Sequence, residues 1–390
     1  MNNQLSSAFS DTKAHYNLLD GLRGVAALVV IWYHVFEGFA FASGGTIDTL
    51  NHGYLAVDFF FMLSGFVIAY AYDDRWNRTQ GLRLGSFVKR RLIRLHPMVI
   101  LGALLGALTF VLQGSQQWDG TAIDFSWVMV AMVCTMAMLP AWPGASYEVR
   151  GNGELFPLNG PAWSLFFEYI GNLLYALFLR RFSNKGLAVF TGLLGIAWLV
   201  FTLTDAAGYG SMGVGWTLEG VNFPGGLIRM LFPFSMGMLL SRNFRPFSIR
   251  GAFGLCSFLL VTVLAVPYVA GNTPICFNGL YEAACLFVVF PLLVWMGASG
   301  TTTDTKSTRV CQFLGDISYP VYIIHYPIMY LFYAWLIDNK LYTLRETGWV
   351  ATAIFVGCIV LAYLALKLYD EPLRRYLTKR FLYKNARSTD

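Results

Sequence analysis

Apolar residues along this chain gather into eleven runs, at 18–41, 54–72, 92–112, 125–142, 162–182, 186–203, 225–240, 251–269, 280–296, 313–337 and 349–368. Each lies near the roughly 20 residues that an α-helix needs to cross the hydrocarbon core of a bilayer. Backbone polar groups in lipid must be satisfied within the structure, and helices do this segment by segment. The pattern therefore predicts an all-α integral membrane protein. Breaks between runs are short, no internal repeat is visible, and a single membrane domain over 1–390 with short tails at about 1–17 and 375–390 is the economical organisation.

One run stands apart. The stretch after 125–142 carries Pro140, Pro143, Pro157 and Pro161 with several glycines, which predicts irregular backbone over 140–161. Such backbone is tolerated at membrane depth only where protein or a wet cavity covers it. Basic clusters at 83–94, 180–185, 242–250, 306–309 and 374–387 all fall on one side if 125–142 dips in and returns. Lys and Arg mark the cytoplasmic side. The expectation is about ten transmembrane helices plus one re-entrant or cavity-lining segment, both termini cytoplasmic, in the plasma (inner) membrane. The first apolar run is too long for a signal-peptide core and is read as a retained span.

Composition agrees and removes alternatives. Of the 390 residues 56% are hydrophobic, 16% aromatic and 13% charged, with a mean hydropathy of +0.53. Soluble proteins carry about 25% charged residues. A net charge of +6 resides in the loop clusters, where it orients spans and touches anionic lipid. Membrane lipid is thus the expected partner and nucleic acid is not. Six cysteines sit mostly inside apolar runs without a C-x-x-C pair, and they read as small buried residues rather than metal ligands. No metal is expected.

Ionisable residues inside spans are candidate functional groups, because leaving them unpaired in hydrocarbon is costly. Arg23 and His34 lie eleven residues apart in the first run, which is about three turns plus 20° and about 16 Å, so both project from one face. Asp58 and Glu168 lie at a depth similar to that of His34, roughly 6–11 Å from the outer edge. A histidine and two carboxylates in one layer would suit acyl transfer to a hydroxyl, the imidazole as base or nucleophile and a carboxylate fixing its tautomer. Arg91 and Arg94 share a helix face in KRRLIRLHP, where guanidinium forks suit phosphates. His325 lies near mid-membrane among aromatics, open between packing and substrate contact. His96 reads as structural, His15 and His52 as surface residues, and G-A-L-L-G at 102–106 as helix packing. Trp118, Tyr147, Tyr209 and Trp216 in the outer loops suit an interfacial belt better than a sugar platform.

The run DGLRGVAALVVIWYHVF resembles the opening of the acyltransferase-3 family of transmembrane O-acyltransferases, in which a basic residue precedes a histidine by eleven positions. VDFFFMLSGFVIAY, FVKRRLIRLHP, GPAWSLFFEYIGNLLY, SYPVYIIHYPI and YDEPLRRYL are similar to further family blocks, in the family's order. The resemblance implies about ten helices and a membrane-embedded O-acyltransferase. It would use acetyl-CoA or another acyl-CoA from the cytosol as donor, and a hydroxyl of an extracytoplasmic carbohydrate or envelope glycan as acceptor. It further implies essential roles for His34 and for Arg23, Arg91 and Arg94 at the donor entrance, and makes Trp163 and Ser164, with His325, candidates for substrate contact. Two positions depart from the family pattern: Tyr169, where a second carboxylate is common, and His96, where tyrosine is common. The rival class is a secondary transporter or permease of a sugar or lipid-linked intermediate. Inverted repeats would favour it, and none is seen.

Overall fold

The computed structural model describes residues 16–47, 49–76, 81–245, 247–269, 276–302 and 304–382. Every apolar run contains helix. In chain order these are α1 (Asn17–Ala42), α2 (Ala56–Trp76), α3 (Leu84–Leu112), α4 (Phe125–Met136), α5 (Ala162–Leu177), α6 (Asn184–Leu203), α7 (Asn222–Asn243) and α8 (Ala252–Leu264). Then follow α9 (Phe277–Ala284), α10 (Phe290–Ser299), α11 (Thr305–Asn339), α12 (Leu344–Ala365) and α13 (Glu371–Phe381). Single π-turns at Cys285–Val289 and Leu366–Asp370 join α9 to α10 and α12 to α13 into continuous rods. The only strands among the described residues are a two-residue parallel pair, Ile249–Arg250 with Gly300–Thr301.

The expected all-α membrane class is what the structure has. Nine helical segments among the described residues are long and apolar enough to cross a membrane, and α4 and α8 are shorter. α4, twelve residues long, extends about 18 Å against a hydrocarbon core of about 30 Å. The stretch after it is irregular, as expected, and packs inward, with Val149, Arg150 and the segment from Glu154 to Asn159 buried. The difference from expectation is the run 251–269. Its helix stops at Leu264 because Pro267 cannot continue it, and the chain turns extended, with the Tyr268 amide donating to the Leu50 carbonyl and the His52 amide to that of Val266.

Small residues let the central helices approach. A Cβ on Gly65 of α2 would lie 1.9 Å from the Phe234 carbonyl oxygen of α7, and one on Gly237 of α7 would lie 2.0 Å from that of Met62. The two helices therefore meet backbone to backbone, as small-residue contacts in membranes allow. Gly106 of α3 does the same against the Leu158 carbonyl, while Gly102 abuts the Asn159 and Ile323 side chains, so that motif is packing, as read. α1 lies along α11, with a Cβ on Gly24 only 2.3 Å from the Leu314 carbonyl oxygen. Outward faces stay apolar at helical spacing. Leu104, Leu108 and Leu112 are exposed on α3, and Val189, Leu193, Ile196 and Val200 on α6. Such stripes are a liability in water and ordinary in lipid.

Candidate active site

His34 sits in the second half of α1, thirteen percent exposed, and faces α11. Its Nδ1 lies 2.7 Å from Glu37 Oε2, one turn further along the same helix. Glu37 also accepts from the hydroxyls of Tyr33 at 3.2 Å and Tyr333 at 3.0 Å. A carboxylate can only accept, so the imidazole proton belongs on Nδ1 and Nε2 carries the lone pair. The ring packs on Tyr326 edge to face at 4.7 Å and is stacked on His325 at 5.2 Å. His325 is fully buried and turns its Nδ1 to the Val321 carbonyl at 3.0 Å. His325 thus packs its ring against that of His34.

This dyad opens on a cavity of about 610 Å³ bounded by α1, α2, α5, α7, α11 and five of the connections between helices. The irregular 140–161 segment supplies Asn152, Glu154 and Gly160 to its wall, and Trp118, Tyr209 and Trp216 line it too. Those three aromatics therefore face the cavity. Tyr147 packs against the α3–α4 cluster. Arg150 is buried with its guanidinium 3.4 Å from the Tyr330 ring centre, and it donates to the Pro157 carbonyl and to Gln113. Tyr330 in turn donates to Glu154. Burial pushes the Glu154 carboxyl up to about 7, against the opposing pulls of Tyr330 and Arg150.

Asp58 and Glu168 do not join His34. Asp58 is buried against Arg229 of α7, which donates from Nη2 at 2.9 Å and from Nε at 3.1 Å. Arg229 also donates to the carbonyls of Val214 and Tyr54 and lies over the Trp163 ring. The pair thus ties α2, α7 and the 204–221 loop together. Glu282 adds a second tie, accepting from Tyr54 and from the Met212 amide. Glu168 instead accepts from Arg91 Nη2 at 2.9 Å and Ser64 Oγ at 3.0 Å. Similar depth did not bring these groups together, because helix rotation points them elsewhere.

The predicted arginines do converge. Arg23, Arg91 and Arg94 line a second cavity of about 180 Å³, joined there by Arg374 from α13. Arg23 is held by Ser318 Oγ at 2.9 Å and by Asp20 at 3.1 Å, and Arg374 by Asp370 at 2.7 Å. The expectation that Arg23 and His34 share a face is met, since both turn to α11. The Val57 and Tyr322 side chains belong to the walls of both cavities. Ser164 points its hydroxyl at that of Tyr322, 2.6 Å away, and Trp163 lines the larger cavity.

Residues 16–367 match the acyltransferase domain model of the acyltransferase-3 family. The chain belongs to that family. It is 26% identical over 388 residues to acyltransferase MdmB of Streptomyces mycarofaciens, covering 93% of this chain and 92% of that one. It is 24% identical over 375 residues to peptidoglycan O-acetyltransferase OatA of Listeria monocytogenes, covering 92% of this chain but 55% of OatA. Protein 2 in the picA locus of Rhizobium radiobacter is 37% identical over 174 residues, 43% of this chain and 84% of that protein. No solved structure matches.

The protein is accordingly an acyltransferase enzyme with multiple membrane helices, which sets the transporter reading aside. Its two departures from the family blocks touch each other, His96 Nδ1 lying 3.3 Å from the Tyr169 hydroxyl. His52 is not a surface residue. It is 1% exposed and bonded to the Val266 carbonyl, whereas His15 lies outside the described residues. The cysteines are free, and no cluster of metal-ligating residues occurs among the described residues. Glu37 was missed although H-x-x-E places it one turn from His34. Arg229 and Glu282 carried the same signal as Asp58, a lone charge inside an apolar run.

Proposed function

We propose that this acyltransferase moves an acyl group, acetyl in the first instance, from cytosolic acyl-CoA to a hydroxyl of an extracytoplasmic carbohydrate or envelope glycan. The observation that carries the reading is the pairing of a carboxylate-held imidazole in one cavity with an arginine-lined cavity directly behind it. The donor's phosphates would rest on Arg23, Arg91 and Arg94, whose guanidinium forks suit phosphoryl oxygens. The about 16 Å of helix between Arg23 and His34 suits an extended pantetheine arm. On this reading the arginine side is cytoplasmic, as are both termini, and the membrane is the plasma membrane.

The chemistry follows from the tautomer. His34 Nε2 takes the proton of the acceptor hydroxyl as its oxygen attacks the thioester carbonyl. The C–O ester bond forms, the C–S bond breaks, and the imidazolium returns the proton to the departing thiolate, so nothing else is consumed. Glu37 stabilises the imidazolium without itself taking the proton. Trp118, Trp163 and Trp216 around the cavity suit the apolar faces of a sugar ring. The name of the Listeria relative supports a glycan acceptor.

The test is label transfer from acetyl-CoA to glycan in proteoliposomes. His34→Ala lowers transfer by about 10²–10⁴-fold, the range of a lost general base. Full transfer by that variant excludes the proposal.

A further inference from the structure

The two cavities are neighbours that share a wall. Val57 of α2 and Tyr322 of α11 are the residues common to both linings. Tyr322 is 7% exposed and Val57 8%. The Tyr322 hydroxyl bonds Ser164 Oγ at 2.6 Å and the Pro161 carbonyl at 3.3 Å. Its ring meets Phe60 edge to face at 5.6 Å. Phe60 and Ser164 belong to the arginine side and Pro161 to the histidine side. A side chain anchored to both chambers by its hydroxyl, and braced by its ring, stands in the wall between them.

We infer that Tyr322 and Val57 form a door between donor and acceptor chambers and set which acyl groups pass, an assignment that rests on the function proposed above. A donor seated on the arginines must push its thioester between these two side chains to meet His34 Nε2. The Tyr322–Ser164 hydroxyl pair keeps the door shut to water when no acyl group occupies it. Val57 limits the width beside it, so a short acyl chain passes and a longer one stalls. Neither residue touches the reacting atoms in this arrangement, and both act by position.

Two conservative deletions test this in proteoliposomes supplied with acetyl-CoA and butyryl-CoA. Val57→Ala widens the passage and raises the butyryl-to-acetyl ratio of kcat/KM by about tenfold or more, the scale on which an apolar pocket discriminates added methylenes. Tyr322→Phe keeps the ring and loses the latch, so thioester hydrolysis rises relative to ester formed, with the donor KM unchanged. A structural role alone would lower all rates together and leave both ratios where they were. Unmoved ratios in both variants overturn the door, and either variant suffices if the other does not fold. His34→Ala run alongside separates the two failures. If it abolishes transfer while the ratios stay fixed, the proposed function stands and only the door is lost. If it transfers normally, the underlying reading has failed.

Discussion

The chamber at His34 and the chamber at Arg23 are walled by α1, α2, α5 and α11 alike, yet their linings have opposite character. Around His34 the wall is aromatic, and its lone ion pair with a guanidinium, Arg229 with Asp58, is sealed by backbone carbonyls. Around Arg23 four arginines share a cavity less than a third as large with Glu168, Asp316 and Asp370. The first chamber is suited to a neutral, polyhydroxylic guest. The second holds its cations ready for anions by pairing some of them provisionally with carboxylates. One rod of sequence, α1, serves both, because Arg23 and His34 emerge from one face three turns apart. On the proposed function, a charged donor and a neutral acceptor would occupy these unlike rooms on either side of the shared wall.

Mutations that act on one chamber only are the sharpest way to break this comparison. The largest effect belongs to Glu37→Gln. An amide beside Nδ1 can donate, which turns the imidazole to the wrong tautomer, and kcat should fall by about 10²–10⁴-fold with the donor KM unchanged. An equal rise in donor KM would show that the chambers are not separable in this way. Asp58→Asn comes next and should read as stability. It leaves Arg229 buried without its counter-charge, at a cost of about 3–5 kcal/mol, visible as a lowered unfolding midpoint in detergent. Loss of transfer with the midpoint intact would instead return Asp58 to a chemical role.

Arg94→Ala addresses the other chamber. Arg94 is exposed and lines the arginine cavity, so its removal strands no buried partner, unlike that of Arg91 beside Glu168. The donor KM should rise about tenfold, the value of one charge-assisted hydrogen bond, with kcat nearly unchanged in steady-state assays. The smallest effect is one of pH. Glu154 titrates near 7 in the folded protein instead of at the ordinary 4.5. The folded state then holds more protons than the unfolded one between those values, and stability falls as pH rises from about 4.5 through about 7. Glu154→Gln should flatten that slope in melting temperatures taken between pH 5 and 8. An unchanged slope would place the titration elsewhere.

Much of this was legible in the sequence, and the limits have a physical cause. All eleven apolar runs contain helices, and the proline- and glycine-rich segment before α5 is irregular and lines the cavity, as its composition required. Arg23, Arg91 and Arg94 meet because spacing along one helix, and a shared end of the bundle, are readable from sequence. Asp58 and Glu168 were matched to His34 by depth alone, and depth leaves the rotation of each helix free. Each was drawn instead to an arginine, Arg229 and Arg91, since an intramembrane carboxylate is held by its nearest guanidinium. Glu37 needed no second helix, only the one-turn spacing on α1. The aromatic loop residues looked like an interface belt because nothing in their order reveals that the loops fold over a cavity.

The account turns on which chamber receives the donor. A cryo-electron-microscopy structure of the enzyme in nanodiscs with CoA bound tests this most directly. The phosphates should lie against Arg23, Arg91 and Arg94, with the thiol end directed at Tyr322. Nucleotide density in the aromatic chamber beside His34, with the arginine cavity empty, would contradict it.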